Sequence, residues 1–156
     1  MVDYYAMPAF GSDGWPGRDN SALISRDRAG AVRQGMTQSI ANEMGRSFDG
    51  HRFIPYVVMH EFEGLLFSDC TRLAKGVKRE ELAVSLIAIR DQFDSPEDID
   101  DSPQTAPSKR ILNLMPNYQK VLHGNEAMLD IGLTAVREAC PIFDRWIAQL
   151  ESIPVS

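Results

Sequence analysis

The apolar positions change period along the chain, and each change marks an element. In the opening "MVDYY", Val2, Tyr4 and Tyr5 favour extended structure and Pro8 closes it, which predicts the end of a strand. From Pro8 to Asn20, "PAFGSDGWPGRDN" is dense in turn residues and reads as a loop. Val32, Met36, Ile40 and Met44 then recur at i, i+4, predicting a helix over 29–44 with Gly45 as its cap. "RFIPYVVMH", 52–60, is an apolar run rich in β-branched and aromatic residues. It predicts a strand covered on both faces, of the parallel kind, with Pro55 near its start, where a missing N–H costs least.

After Asp69 the period is helical. The pattern predicts a short helix over 71–75 and a longer one over 79–93 with Leu82, Leu86, Ile89 and Phe93 on one face. Ser95-Pro96 opens a turn, a short helix follows over 109–114, and Asn125 and Pro141 each suit a helix start. Phe143, Trp146, Ile147 and Leu150 share one side of the last helix. No repeat or low-complexity tract interrupts the chain. The expected architecture is one α/β domain over 1–156: a small, mostly parallel sheet with surrounding helices and a helical C-terminal half.

Composition narrows the functional classes. At 156 residues, with 44% hydrophobic and 24% charged, the chain can bury one core. The net charge of -6 argues against unspecific binding of nucleic acid or anionic lipid over the whole surface, though not against a local basic patch. No run approaches the ~18 apolar residues of a membrane span, and the N-terminus has no signal-peptide pattern. Cys70 and Cys140 lack metal-type spacing, so the expectation is a cytoplasmic protein with two free thiols.

The chemistry concentrates in "HEFEGLLFSD", His60 to Asp69. His60 and Glu61 stand at the predicted carboxyl end of a strand, where open α/β sheets collect ligands. If 60–63 stay extended, Glu61 and Glu63 point to one side and can share a cation. If a helix starts earlier they diverge by about 200°, one carboxylate facing the site and the other water or a basic partner. The bland reading is that both are favourable acids of a first helical turn. Gly64 stands where HExxH would need its second His, so this is not a zincin. Asp3, at the end of the first strand, is a candidate third carboxylate for Mg²⁺, a hard cation that takes oxygen ligands; its bland reading is a turn-forming acid. In "APSKRI", Ser108, Lys109 and Arg110 sit at a predicted helix start that can hold an anion, with Lys120 beyond; the same charges could pair with Glu97, Asp98, Asp100 and Asp101. "GWPGR", 14–18, is a rigid turn, either a lid or a surface loop.

The order MVDYY, WPG, RFIPYVVMHEFEGLLFSD, PEDIDD, TAPSKRI, YQKVLHG and IGLTAVREACPIFDRW resembles the bacterial domain-of-unknown-function family 4276 over almost the whole chain. That family is similar to Toprim-type domains, the α/β metal-binding fold of topoisomerases, primases and overcoming-lysogenization-defect nucleases, in settings that pair it with an ATPase in phage defence or DNA repair. Members begin earlier, with a strand bearing an "EG" motif and a helix; neither is visible here, so a shortened version with an incomplete metal site is expected. Tyr5 stands where the second acid of an Asp-x-Asp pair would fall.

The resemblance implies a Mg²⁺-dependent, nuclease-type phosphodiester-acting domain. Asp3 and Glu61 would be metal ligands, Glu63 a ligand or a supporting acid, and His60 would orient a carboxylate or relay a proton. Ser108, Lys109, Arg110 and Lys120 would neutralise phosphate, with nucleic acid as the substrate. The alternative is a non-catalytic module that docks a partner ATPase. A third reading is a nucleotide-binding protein using the Ser108–Arg110 helix start. An unpaired sheet edge predicts a homodimer.

Overall fold

The computed structural model describes residues 2–4, 7–8, 14–18, 25–58, 61–99 and 105–154, with backbone alone at Asp3 and 25–27. Two compact units divide the chain, 1–59 with 148–156, and 60–147.

In the first unit, β1 (Val2–Asp3) pairs in parallel with β2 (Val57–Val58). The Val2 N–H donates to the Tyr56 carbonyl and the Tyr4 N–H to that of Val58, both at 2.9 Å. Between them runs α1 (Ser25–Met44), which lays Ala29, Val32 and Met36 into a small core with Tyr4, Met7 and Val57. The stripe outruns that core: Ile40 is half-buried and Met44 exposed. The Trp15–Gly17 turn lies against α1 rather than standing free. Gly17 takes φ +75, and a Cβ there would sit 2.4 Å from the Ala31 carbonyl oxygen. Arg18 fixes the turn, its guanidinium 3.7 Å above the Tyr4 ring and its Nε donating to the Tyr4 carbonyl.

These observations correct the expected fold class. The molecule is mostly helical, and the small parallel sheet expected of a Toprim-like α/β domain is absent among the described residues; the two-residue pairing is all the strand structure they contain. The apolar run 52–60 supplies only Val57–Val58 to a ladder. The Asp49 side chain accepts the His51 N–H and winds Gly50–Arg52 into a 3-10 turn. Pro55 then has no N–H to give a ladder.

The second unit is a helix cluster: α2 (Glu63–Leu66), α3 (Cys70–Gly76), α4 (Ala83–Arg90), α5 (Pro107–Leu114), α6 (Lys120–Ala139) and the start of α7 (Pro141–Glu151). Asp69 caps α3 by accepting the Arg72 N–H, and Ser95 opens a 3-10 turn by accepting that of Glu97. Leu65, Leu66, Phe67, Leu73, Leu86, Ile111 and Ile131 share one core. Burying each such side chain contributes roughly 1.5–3 kcal/mol. Helix α3 approaches α6 closely enough that a Cβ on Gly76 would lie 2.4 Å from the Ala127 Cα. Asn125 starts no helix; it lies inside α6, whose break falls at Gly132. A break leaves preceding carbonyls without their i+4 donors. Arg72 Nη1 donates to one of them, that of Ile131, at 2.8 Å. Glu97 receives the Ile142 and Phe143 N–H groups, each at 2.9 Å, at the start of α7. No helix among the described residues is long and apolar enough to cross a membrane.

Candidate functional site

The polar centre of the second unit is assembled by three chain segments. Glu61 precedes α2 and Glu63 is its first residue. The one-turn helix is held by its apolar face, Leu65 and Leu66, in the core. Pro107 occupies the first turn of α5, where its missing N–H is harmless. The next N–H, that of Ser108, is free of helix bonding and donates to Glu61 Oε2 at 2.8 Å. Lys120 opens α6, whose start is fixed by His123 Nδ1 accepting the Gln119 N–H at 2.8 Å. From there the Lys120 ammonium reaches Glu61 Oε1 at 2.9 Å and Glu63 Oε1 at 3.4 Å.

The two glutamates therefore converge on one cationic position, but they are not equivalent. Burial alone would raise the Glu61 pKa; the Ser108 hydroxyl and N–H, with Lys120, outweigh it and hold the carboxyl below its ordinary range. Glu63 is 2% exposed, and burial pushes its pKa up, with the Glu61 charge adding to the effect against Lys120. The 3.4 Å contact with Lys120 is an ion pair without hydrogen-bond alignment, so among the described residues Glu63 Oε1 has no hydrogen-bond partner. The Tyr118 hydroxyl is likewise buried without a partner among the described residues; burial, then the charges of Glu63 and Glu61, push its pKa up. Partial burial would lower the Lys120 pKa, but the two carboxylates raise it, so it stays charged.

The other expected site residues fall elsewhere. His60 lies outside the described residues, as does the Asp3 side chain; the Asp3 backbone belongs to the first unit. Lys109 is exposed and joins no part of the cluster. Arg110 turns away as well: its Nε donates to the Thr105 carbonyl, and its guanidinium lies 5.1 Å from the Phe93 ring centroid. Of the four basic or hydroxyl residues expected to hold phosphate, Ser108 and Lys120 join the glutamates and the other two do not. The anion on the Ser108 N–H is the chain's own Glu61. The one sequence signal for Tyr118 is an aromatic with a polar tip two residues before Lys120, too common a pattern to mark a site.

As to a metal, among the described residues no three His, Cys, Asp or Glu side chains gather into a ligand cluster. Mg²⁺ needs fewer, since it is commonly held by one or two carboxylates with water and substrate phosphate. The pair fits it in kind: hard oxygen donors aimed at one point, with one buried oxygen that lacks a hydrogen-bond donor among the described residues. Glu61 and Glu63 would be the ligands. Cys70 and Cys140 contribute nothing here. Both are free and buried, and burial pushes each thiol up to about 12.

These features define a class: a mostly helical protein whose polar centre is a carboxylate pair bridged by a lysine. The chain belongs to the family described as a domain of unknown function, DUF4276, whose model matches residues 1–151. No curated protein matches it, and neither does any solved structure.

Proposed function

We propose that the Glu61–Glu63–Lys120 centre acts on phosphodiesters with the help of a divalent cation. The observation that carries this reading is the convergence of two carboxylates on one cationic position, with Glu63 Oε1 buried and, among the described residues, lacking a hydrogen-bond donor. A bound Mg²⁺ would polarise a phosphoryl oxygen and lower the pKa of its water. Lys120 is 52% exposed, so its ammonium is free to leave the pair for a substrate phosphate. Glu61 keeps its charge through Ser108, and Glu63, whose pKa burial raises, is the more basic carboxylate of the two. The test is a cleavage assay on plasmid DNA and on RNA with Mg²⁺ or Mn²⁺, beside Mn²⁺ binding followed by electron paramagnetic resonance. Wild type is expected to bind Mn²⁺ and cut, and Glu61→Ala/Glu63→Ala to do neither. Equal cutting by both proteins removes the proposal.

A second reading has its own support. Helix α6 exposes Val121 (79%) and Leu129 (84%) to solvent, with Leu122 and Leu133 also exposed, an unusual apolar load for a free surface. In that reading the glutamates only fix the fold, and α6 docks a partner ATPase. Recovery of one ATPase on wild type but not on Val121→Lys/Leu129→Lys, with no metal-dependent cutting, favours it over the first.

A further inference from the structure

The first unit contains a cleft that none of the glutamate chemistry uses. Its volume is about 840 Å³, within the range of small-molecule sites. Phe53, Pro55 and Ile153 are apolar residues of its lining. Arg33, from α1, and His51 and Arg52, from the 3-10 turn, stand around it. Among the described residues no carboxylate pairs with Arg33 or Arg52. Asp49 is the one acid in the lining, and its Oδ1 is already engaged by the His51 N–H at 3.0 Å. On a chain of net charge -6, two guanidinium groups with no carboxylate partner among the described residues, in a partly apolar lining, mark a place where an anion gains most.

We propose that this cleft binds a nucleoside phosphate. The two chemistries of such a ligand match the two chemistries of the wall. Arg33 and Arg52 offer planar donor forks that suit phosphate oxygens. The apolar lining suits the flat face of a base, and Gln34, in the same lining, offers a carboxamide for a base edge. Gly30 keeps the way open: it lines the cleft, and a Cβ built there meets nothing within 4 Å. This inference goes beyond the proposal for Glu61 and Glu63 and stands without it.

Titration calorimetry on the full chain with ATP and GTP tests it, with pyrophosphate and adenosine as separate arms. At least one nucleotide is expected to bind, with pyrophosphate and adenosine each at least tenfold weaker. Arg52 is exposed, so Arg52→Glu should fold as wild type and lose at least tenfold in affinity. Gly30→Leu changes no charge, improves helix propensity and fills open space; it too should lose at least tenfold. Glu61→Gln and Glu63→Gln should bind nucleotide as wild type does, which separates this site from the glutamate pair. No binding at millimolar nucleotide, pyrophosphate binding as tightly as ATP, or full affinity in both cleft variants overturns the proposal.

Discussion

In the second unit, Glu61 and Glu63 meet Lys120 within hydrogen-bond or ion-pair distance, and the Ser108 N–H closes on Glu61. In the first unit, Arg33 and Arg52 line an open cleft with no carboxylate paired to either among the described residues. The contrast is one of availability. A charge neutralised inside the fold stabilises helices and must be displaced before it can act on a ligand. A charge left uncompensated at a cleft costs little in water and is ready for a partner. Charge density alone therefore does not identify a binding site; the partner each charge already has does.

The largest expected effect tests whether the two regions are held together or separately. Gly76→Ala drives a Cβ against the Ala127 backbone and forces α3 off α6, the helix that carries Lys120. Overpacking of this kind costs about 3 kcal/mol where backbone must move. Trp15 lies in the first unit and Trp146 in the second, so single-tryptophan variants report each by fluorescence. Gly76→Ala is expected to shift the Trp146 transition in urea. If it moves both transitions equally, the units unfold as one and the regional comparison has no thermodynamic content.

Next in size is Lys120→Met. It leaves Glu63, nearly fully buried, beside Glu61 without a cation. Removing one partner of a fully buried pair costs 3–5 kcal/mol; because Lys120 is half-exposed, about 2 kcal/mol is expected at neutral pH. The loss should shrink in acid, where the glutamates protonate and no longer need the ammonium. Urea melts at pH 4 and pH 8 check this, and a larger loss at pH 4 would contradict the neutralised-cluster picture.

How far these regions were legible in the sequence follows from the same physics. Periodicity found α1 through Val32 and Met36, and found the helical second half, because helix faces repeat within a few residues. It failed at 52–60, where composition favours a strand but the Asp49 turn and Pro55 leave only Val57 and Val58 to pair. The acids inside "HEFEGLLF" were conspicuous because charges rarely enter an apolar run unpaired. Their partner was not, since Lys120 lies 59 residues beyond Glu61 and only the packing of α6 brings it back. Ser108 was recognisable as a helix-start donor; that its anion would be a glutamate of the same chain was not. Arg33, His51 and Arg52 carried no sequence signal, being ordinary surface positions of a helix and a turn.

A smaller effect sharpens the difference between the two glutamates themselves. The Glu61 pKa is lowered on folding, so its contribution is present above the ordinary value of 4.5 and is lost as pH falls through the lower folded value. Glu61→Gln should cost about 1 kcal/mol at pH 7, after allowing for its partial exposure, and little in acid. The Glu63 pKa is raised, so its contribution is fully present below 4.5 and is lost as pH rises through the higher folded value. Glu63→Gln should therefore cost nothing at pH 7 and can even stabilise. Thermal melts of both variants from pH 3 to pH 8 should give slopes of opposite sign relative to wild type.

The smallest expected difference lies inside "PSKRI", where two adjacent basic residues behave unlike each other. Arg110 donates to the Thr105 carbonyl at 2.7 Å and lies over Phe93, so it pins the entry to α5. Its guanidinium keeps a contact of roughly 0.5–1 kcal/mol with the ring, besides the hydrogen bond. Arg110→Ala should thus cost about 1 kcal/mol. Lys109 is exposed, and Lys109→Ala should stay within ~0.5 kcal/mol of wild type. If the enzymatic reading holds, the same two variants separate a second way. Lys109 stands next to Ser108 and pairs with no acid among the described residues, so Lys109→Ala should raise KM for nucleic acid while leaving stability untouched. Arg110, already engaged within the fold, should change stability and leave KM alone at a temperature where the variant is folded. A KM effect at Arg110 in place of Lys109 would mean that the free and the engaged charge had been assigned the wrong way round.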